Sequence, residues 1–303
     1  MPVNSENYAA FLPCATWSQP RSTWWDWRGR RVHIARSDNA SADVRMIGIH
    51  GAGGYSGALW PLAALISGDD VELAFPDLPL YGGTIEPDPA RVRYETWLEL
   101  LCDLVAAEHR HDDRPLVLFG ASMGGMLAYE VAARTRLADA VVATCLLDPS
   151  DADARAAAAR FRVAGRYGPT VLRPLDRVVG QVRVPIKWLV NMRRMSANHA
   201  LSRLCATDPK GGGTRVPIGL LASYLTFQHT RPETFDAAPV TLVHPAADQW
   251  TPPELSIRFL ERIAGPTSLV LLEGCGHFPI EEPGVTQLAT ALRAVRDGLL
   301  DAR

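Results

Sequence analysis

The sequence predicts an α/β protein: a mostly parallel sheet with helices on both faces and an inserted helical cap. Three observations predict it. Short buried apolar runs alternate with helical patterns from residue 44 to residue 147, a rhythm that implies parallel strands covered by helices. The rhythm fails between 149 and 235 and resumes at Val240. The 303 residues allow one large core with an insertion, so the expected division is core 1–148, cap 149–235 and core 236–303.

The elements follow in order. A polar lead carrying Trp17, Trp24, Trp25 and Trp27 precedes Arg31 to Arg36, whose alternation reads as a half-exposed edge strand. Val44 to His50 is a buried strand ending in His50-Gly51-Ala52-Gly53-Gly54. Ser56 to Ser67 places Leu59, Trp60, Leu62, Ala63 and Ile66 at helical spacing. A strand from Val71 to Phe75 runs into a loop rich in turn formers, Pro76 to Thr84, and Val92 to Glu108 is an amphipathic helix. Pro115 to Phe119 has the length and composition of a buried parallel strand, and Met126 to Ala133 is helical again. Ala140 to Leu147 is the next strand, leaving at Asp148-Pro149.

From 150 to 235 helical stretches are separated by breaks at Gly165, Gly168-Pro169, Pro174, Pro185 and Gly211 to Gly213, with no convincing strand. Val184 to Leu204 is read as part of the helical cap. Then come a strand (Val240 to His244), a helix (Pro253 to Ala264), a strand (Ser268 to Leu272) and a C-terminal helix (Pro283 to Leu300).

Composition narrows the function classes. Hydrophobic residues make up 47% of the chain, enough for a sizeable core, and no apolar run approaches the roughly 18 residues of a membrane span. Met1 to Pro20 lacks a basic start and an apolar stretch, so no secretory signal is expected. The five cysteines (Cys14, Cys102, Cys145, Cys205, Cys275) are scattered and form no CxxC pair, the usage of a cytoplasmic protein with reduced thiols and no zinc site. Net charge is −2, yet residues 149–235 hold 14 Lys+Arg against 5 Asp+Glu, a surplus of 9, which leaves −11 on the rest. A solvated arginine-rich face accounts for that segment, and no nucleic-acid motif accompanies it.

Chemistry concentrates between the strand at 115–119 and the helix that follows. Gly120-Ala121-Ser122-Met123-Gly124 matches G-x-S-x-G, with a strand before it and a helix after it. A turn that tight strains Ser122 and leaves no room for side chains at Gly120 or Gly124. It presents the hydroxyl at the strand's C-terminal end, over the free N–H groups of a helix start.

With these pieces placed, the chain resembles the α/β-hydrolase superfamily along almost its whole length outside the cap, and so implies an eight-stranded sheet of that type. Four stretches carry the likeness: His50-Gly51-Ala52-Gly53, Asp77 to Thr84, the elbow at Ser122, and Gly276-His277-Phe278. Among members it looks most like the lysophospholipase, monoacylglycerol-lipase and carboxylesterase-like branch.

The resemblance implies a serine hydrolase with a Ser-His-Asp triad and no cofactor or metal. Ser122 would be the nucleophile and His277 its base. Asp248, in the loop after Val240 to His244, would be the acid, with Asp148 as its rival. The backbone N–H groups of Ala52 and Met123 would form the oxyanion hole. His50, Gly51 and Gly53 would lie against the substrate, with Tyr81 as a pocket wall. Glu281 and Glu282 read as caps of the last helix. Cap residues Trp188, Met192, Met195, Leu220, Leu221, Tyr224 and Phe227 are candidate pocket walls, or simply packing. The expected partner is a small apolar acyl compound, with no nucleic acid and no stable membrane insertion. An ester is the leading substrate. Amide, peptide, lactone, thioester and C–C cleavage remain open, as does a non-catalytic ligand sensor on the same fold.

Overall fold

In the computed structural model, which describes residues 5–13, 17–68, 70–160 and 179–302, the chain opens with a one-turn helix, α1 (Glu6–Ala9). A hairpin of β1 (Arg21–Trp27) and β2 (Arg30–Arg36) follows. The alternating part of the core is β3 (Val44–Ile49), α2 (Ser56–Ser67), β4 (Val71–Pro76), α3 (Tyr94–His109), β5 (Leu116–Gly120), α4 (Met123–Thr135) and β6 (Ala140–Ala143). The segment after β6 contains α5 (Ala152–Ala158), β7 (Arg183–Pro185), α6 (His199–Thr207), β8 (Arg215–Pro217) and α7 (Ile218–Thr226). The core closes with β9 (Val240–Pro245), α8 (Pro253–Leu260), β10 (Thr267–Leu272) and α9 (Gly284–Asp301). Cys14 and the breaks at Gly165, Gly168-Pro169 and Pro174 lie outside the described residues.

Eight strands form one sheet in the order β1-β2-β4-β3-β5-β6-β9-β10, with β2 antiparallel to both its neighbours and the remaining pairs parallel. The central strands β3, β5 and β6 are buried at every position, as strands covered on both faces must be. Since β6 and β9 are neighbours, the described residues between them form an excursion from the sheet.

Two expectations about strands are corrected. Arg31 to Arg36 is not an edge strand, because β1 pairs with β2 along its full length and takes the edge itself. Thr23, Trp25 and Trp27 turn inward along β1 while Ser22, Trp24 and Asp26 face out, and the tryptophans on both faces hide that alternation. Second, the inserted segment is not wholly helical: β7 and β8 form an antiparallel pair of three residues each. Val184 to Leu204 divides into β7, two short 3-10 turns and the start of α6, whose Asn198 cap accepts the Ala200 and Leu201 N–H groups.

The strand expected over Ala140 to Leu147 stops at Ala143. Thr144 still donates its N–H to the Gly120 carbonyl of β5, but beyond it the chain turns to another partner, Leu146 donating to Ser256 Oγ. Among the described residues no helix is long and apolar enough to cross a membrane.

Candidate active site

The elbow is built as the glycines require. Ser122 has φ +56° and ψ −126°, in the left-handed half of backbone space where a side chain is strained. A Cβ on Gly120 would lie 2.2 Å from the Gly124 carbonyl oxygen, and one on Gly124 would lie 2.1 Å from that of Ile49. Thr144 steadies the turn from the neighbouring strand, its Oγ1 accepting the Ser122 N–H at 3.0 Å.

The structure brings Ser122, His277 and Asp248 into one line. His277 Nε2 is 2.8 Å from Ser122 Oγ, and His277 Nδ1 is 2.7 Å from Asp248 Oδ2. Asp248 is held in turn: Oδ1 accepts the N–H groups of Trp250 and Thr251 at 2.8 and 3.0 Å, and Oδ2 accepts the Thr251 hydroxyl at 2.7 Å. Burial alone would raise the Asp248 pKa, but the adjoining imidazole and these donors outweigh it and hold the carboxyl at about 2. An ionised Asp248 accepts from Nδ1–H, which leaves Nε2 free to take the serine proton. The Trp250 ring packs on the His277 ring with centroids 4.6 Å apart.

Asp148, the rival acid, is occupied elsewhere. It accepts the N–H and hydroxyl of Ser150 and lies 4.0 Å from His229 Nδ1.

Above the elbow, the loop after β3 meets the start of α4. A Cβ on Gly51 would sit 3.0 Å from the Met123 nitrogen, so the two backbones nearly touch there. Met123 is the first residue of α4 and has no carbonyl one turn back to bond. Among the described residues neither its N–H nor that of Ala52 makes a backbone hydrogen bond.

His50 steers this loop. Its Nδ1 is 2.8 Å from the Gly51 carbonyl and its Nε2 accepts the Leu78 N–H at 2.9 Å, while burial pushes its pKa below the ordinary value. It is a neutral spacer between two loops. His50, Gly51, Ala52 and Gly53 line the cavity beside Ser122. Tyr81 does not: it is buried behind His50, its ring edge-on to that imidazole at 5.5 Å, so its expected place as a pocket wall is corrected. Asp77 ties the same region together, accepting from Ser56 N, Gly83 N and His33 Nδ1 at 2.6, 2.7 and 2.8 Å.

Of the apolar residues in the inserted segment that the sequence singles out, Met195 alone lines this cavity. Met192 packs against Gly53 and Gly212, Tyr224 and Phe227 surround Tyr94, and Trp188 is 58% exposed. Glu282 caps α9 through Thr286, as expected. Glu281 instead takes the Ser196 hydroxyl and the Gly276 N–H. Sequence reasoning missed Thr144, Trp250, Thr251 and this role of Glu281. For Thr251 a signal existed, since an aspartate that caps its own following turn selects the residues two and three places on. Among the described residues no group of His, Cys, Asp and Glu is arranged to hold a metal ion.

The sheet order, with one reversed strand and a serine elbow after the fifth, defines the α/β-hydrolase class of proteins. Residues 46–287 match the family model described as "Alpha/beta hydrolase family", and the chain belongs to that family. Over 109 residues it is 37% identical to the AMB antimetabolite synthetase AmbE of Pseudomonas aeruginosa. The match covers 35% of this chain and 5% of that much longer protein.

Two solved structures share the fold at low identity. A soluble variant of monoglyceride lipase from Saccharomyces cerevisiae, in complex with a substrate analog, is 16% identical with a TM-score of 0.71, over 94% of this chain and 95% of that one. The monoacylglycerol lipase of Paleococcus ferrophilus is 21% identical with a TM-score of 0.64, over 86% and 95%.

Proposed function

We propose that the protein is a serine hydrolase that cleaves a carboxylic ester through an acyl-enzyme. Ser122 Oγ attacks the ester carbonyl as His277 Nε2 takes its proton. The carbonyl oxygen becomes an oxyanion between the N–H groups of Ala52 and Met123, bonds worth roughly 2.7–4 kcal/mol each in such sites. Collapse expels the alcohol, which leaves with the proton from His277. Water then repeats the sequence on the acyl-enzyme and releases the acid. Asp248 holds the imidazole tautomer throughout and stabilises the imidazolium. Residues 149–235 act as the cap, with Met195 at the mouth of the site.

The observation that carries this reading is the 2.8 Å contact between Ser122 Oγ and His277 Nε2, on a serine held in a strained turn. A fluorophosphonate probe followed by peptide mapping should mark Ser122, and Ser122→Ala should abolish turnover of a short p-nitrophenyl ester. Full turnover by that variant would end the proposal.

A further inference from the structure

Behind Ser122 the cavity extends along α2, with Tyr8 of α1 and with Met195 and Cys205 of the inserted segment also against it. Its inner walls are Ala58, Leu62, Ala63 and Ile66 of α2 on one side, and Phe75 of β4 and Phe119 of β5 on the other. Positions 58, 62 and 66 recur every four residues and form one stripe along the helix. From Ala58 to Ile66 that stripe extends about 12 Å, at about 1.5 Å per residue. The centres of water-sized spheres have about 60 Å³ to occupy within the cavity. Drawn out over such a length, that volume is a bore one chain wide. No Asp, Glu, Lys or Arg lines it.

The geometry points to an acyl-chain channel: an unbranched alkyl group of medium length, attached through its carbonyl at Ser122, lies along the inner face of α2. The inference rests on the acyl-enzyme reading and adds the class of acyl group and its location. About 12 Å of helix matches roughly eight to ten carbon atoms of an extended chain. Rings and branches exceed the bore. A charged or hydrogen-bonding acyl group would lose its water and find no partner among these walls. Ala58 and Ala63 leave the space that larger side chains would fill, and Ile66 is the last α2 residue to line it.

A series of p-nitrophenyl esters from acetyl to palmitoyl tests this. We expect kcat/KM to rise about fourfold per methylene, the equivalent of ~0.8 kcal/mol of transfer energy, to peak at roughly eight to ten carbons and then to fall. Ala63→Leu should move the peak to shorter chains and Ile66→Ala to longer ones. If Ala63→Leu does not fold, the opposite displacement by Ile66→Ala still decides.

Calorimetric titration of Ser122→Ala with decanoate reads the channel without the reaction. Binding should weaken at least tenfold when Ala63→Leu is added. An active enzyme with a flat chain-length profile, or with a peak that neither variant moves, overturns the channel and leaves the Ser122 chemistry standing. A Ser122 that resists fluorophosphonate while decanoate binding still responds to Ala63→Leu removes the acyl-enzyme reading and keeps the channel.

Discussion

Ser196, on the inserted segment, donates its hydroxyl hydrogen to Glu281 Oε1 of the core across 2.9 Å. The other oxygen of that carboxylate accepts the Gly276 N–H at 3.3 Å, and Phe278 donates its N–H to the Met195 carbonyl at 2.6 Å. His277 lies between those two residues, so its loop is suspended from both parts of the chain. A hydrogen bond to a charged group contributes about 1.5–3 kcal/mol. Glu281→Ala is therefore expected to lower kcat about tenfold, with Glu281→Gln, which keeps an acceptor, recovering most of it. Steady-state kinetics beside thermal melts separate the roles. A lower Tm at unchanged kcat would limit the contact to stability.

The two candidate acids make opposite predictions. Asp248→Asn keeps the shape but stabilises the wrong imidazole tautomer, and should cost about 10⁴-fold in kcat. Asp148→Asn alters contacts to Ser150 and the neighbourhood of His229, and should change kcat less than threefold, roughly the spread expected of a residue outside the reaction. Equal losses in both would reopen the assignment.

His229 is a buried imidazole whose Nε2 lies 3.0 Å from the Tyr94 hydroxyl, and burial lowers its pKa from 6.5 to about 4. The unfolded chain binds a proton that the native site refuses, so between these values stability falls as pH falls. The contribution is complete above pH 6.5 and is lost progressively down to about pH 4, a change of roughly 3 kcal/mol at about 1.4 kcal/mol per unit. Urea unfolding at pH 7 and pH 5 should show the loss in the native sequence. The His229→Gln variant should show a smaller one, and an equal pH dependence in both would exclude His229 as a source.

Cys275, two residues from His277, is fully buried with its Sγ 3.1 Å from the Glu281 carbonyl, and burial pushes its thiol up to about 12. The thiolate is the reactive form, so iodoacetamide at neutral pH should leave both Cys275 and the activity intact. Peptide mapping of treated native protein checks this. Parallel loss of activity and of free Cys275 would contradict it.

Local pattern by itself determined the elements whose residues answer to their own backbone. The buried run before the elbow, the glycines that the turn at Ser122 demands, and the helix Ser56–Ser67 are all readable from period and residue type, and the structure has them where they are read. The expected order serine, aspartate, histidine came instead with the resemblance to the α/β-hydrolase superfamily, and no local pattern supplied it.

Tertiary structure decided the rest. Ser122 and His277 stand 155 positions apart, and no local signal places Thr144 under one or Trp250 against the other. The strands β7 and β8 are three residues each, too short to show a period, and exist because they pair with each other. Tyr81 faces His50 rather than the cavity because the Asp77 network sets the path of its loop. The course of the cavity beneath α2 depends on which sides of a helix and two strands happen to leave space between them. Sequence period records what a segment does with its own backbone; the gaps between segments exist only once they are packed.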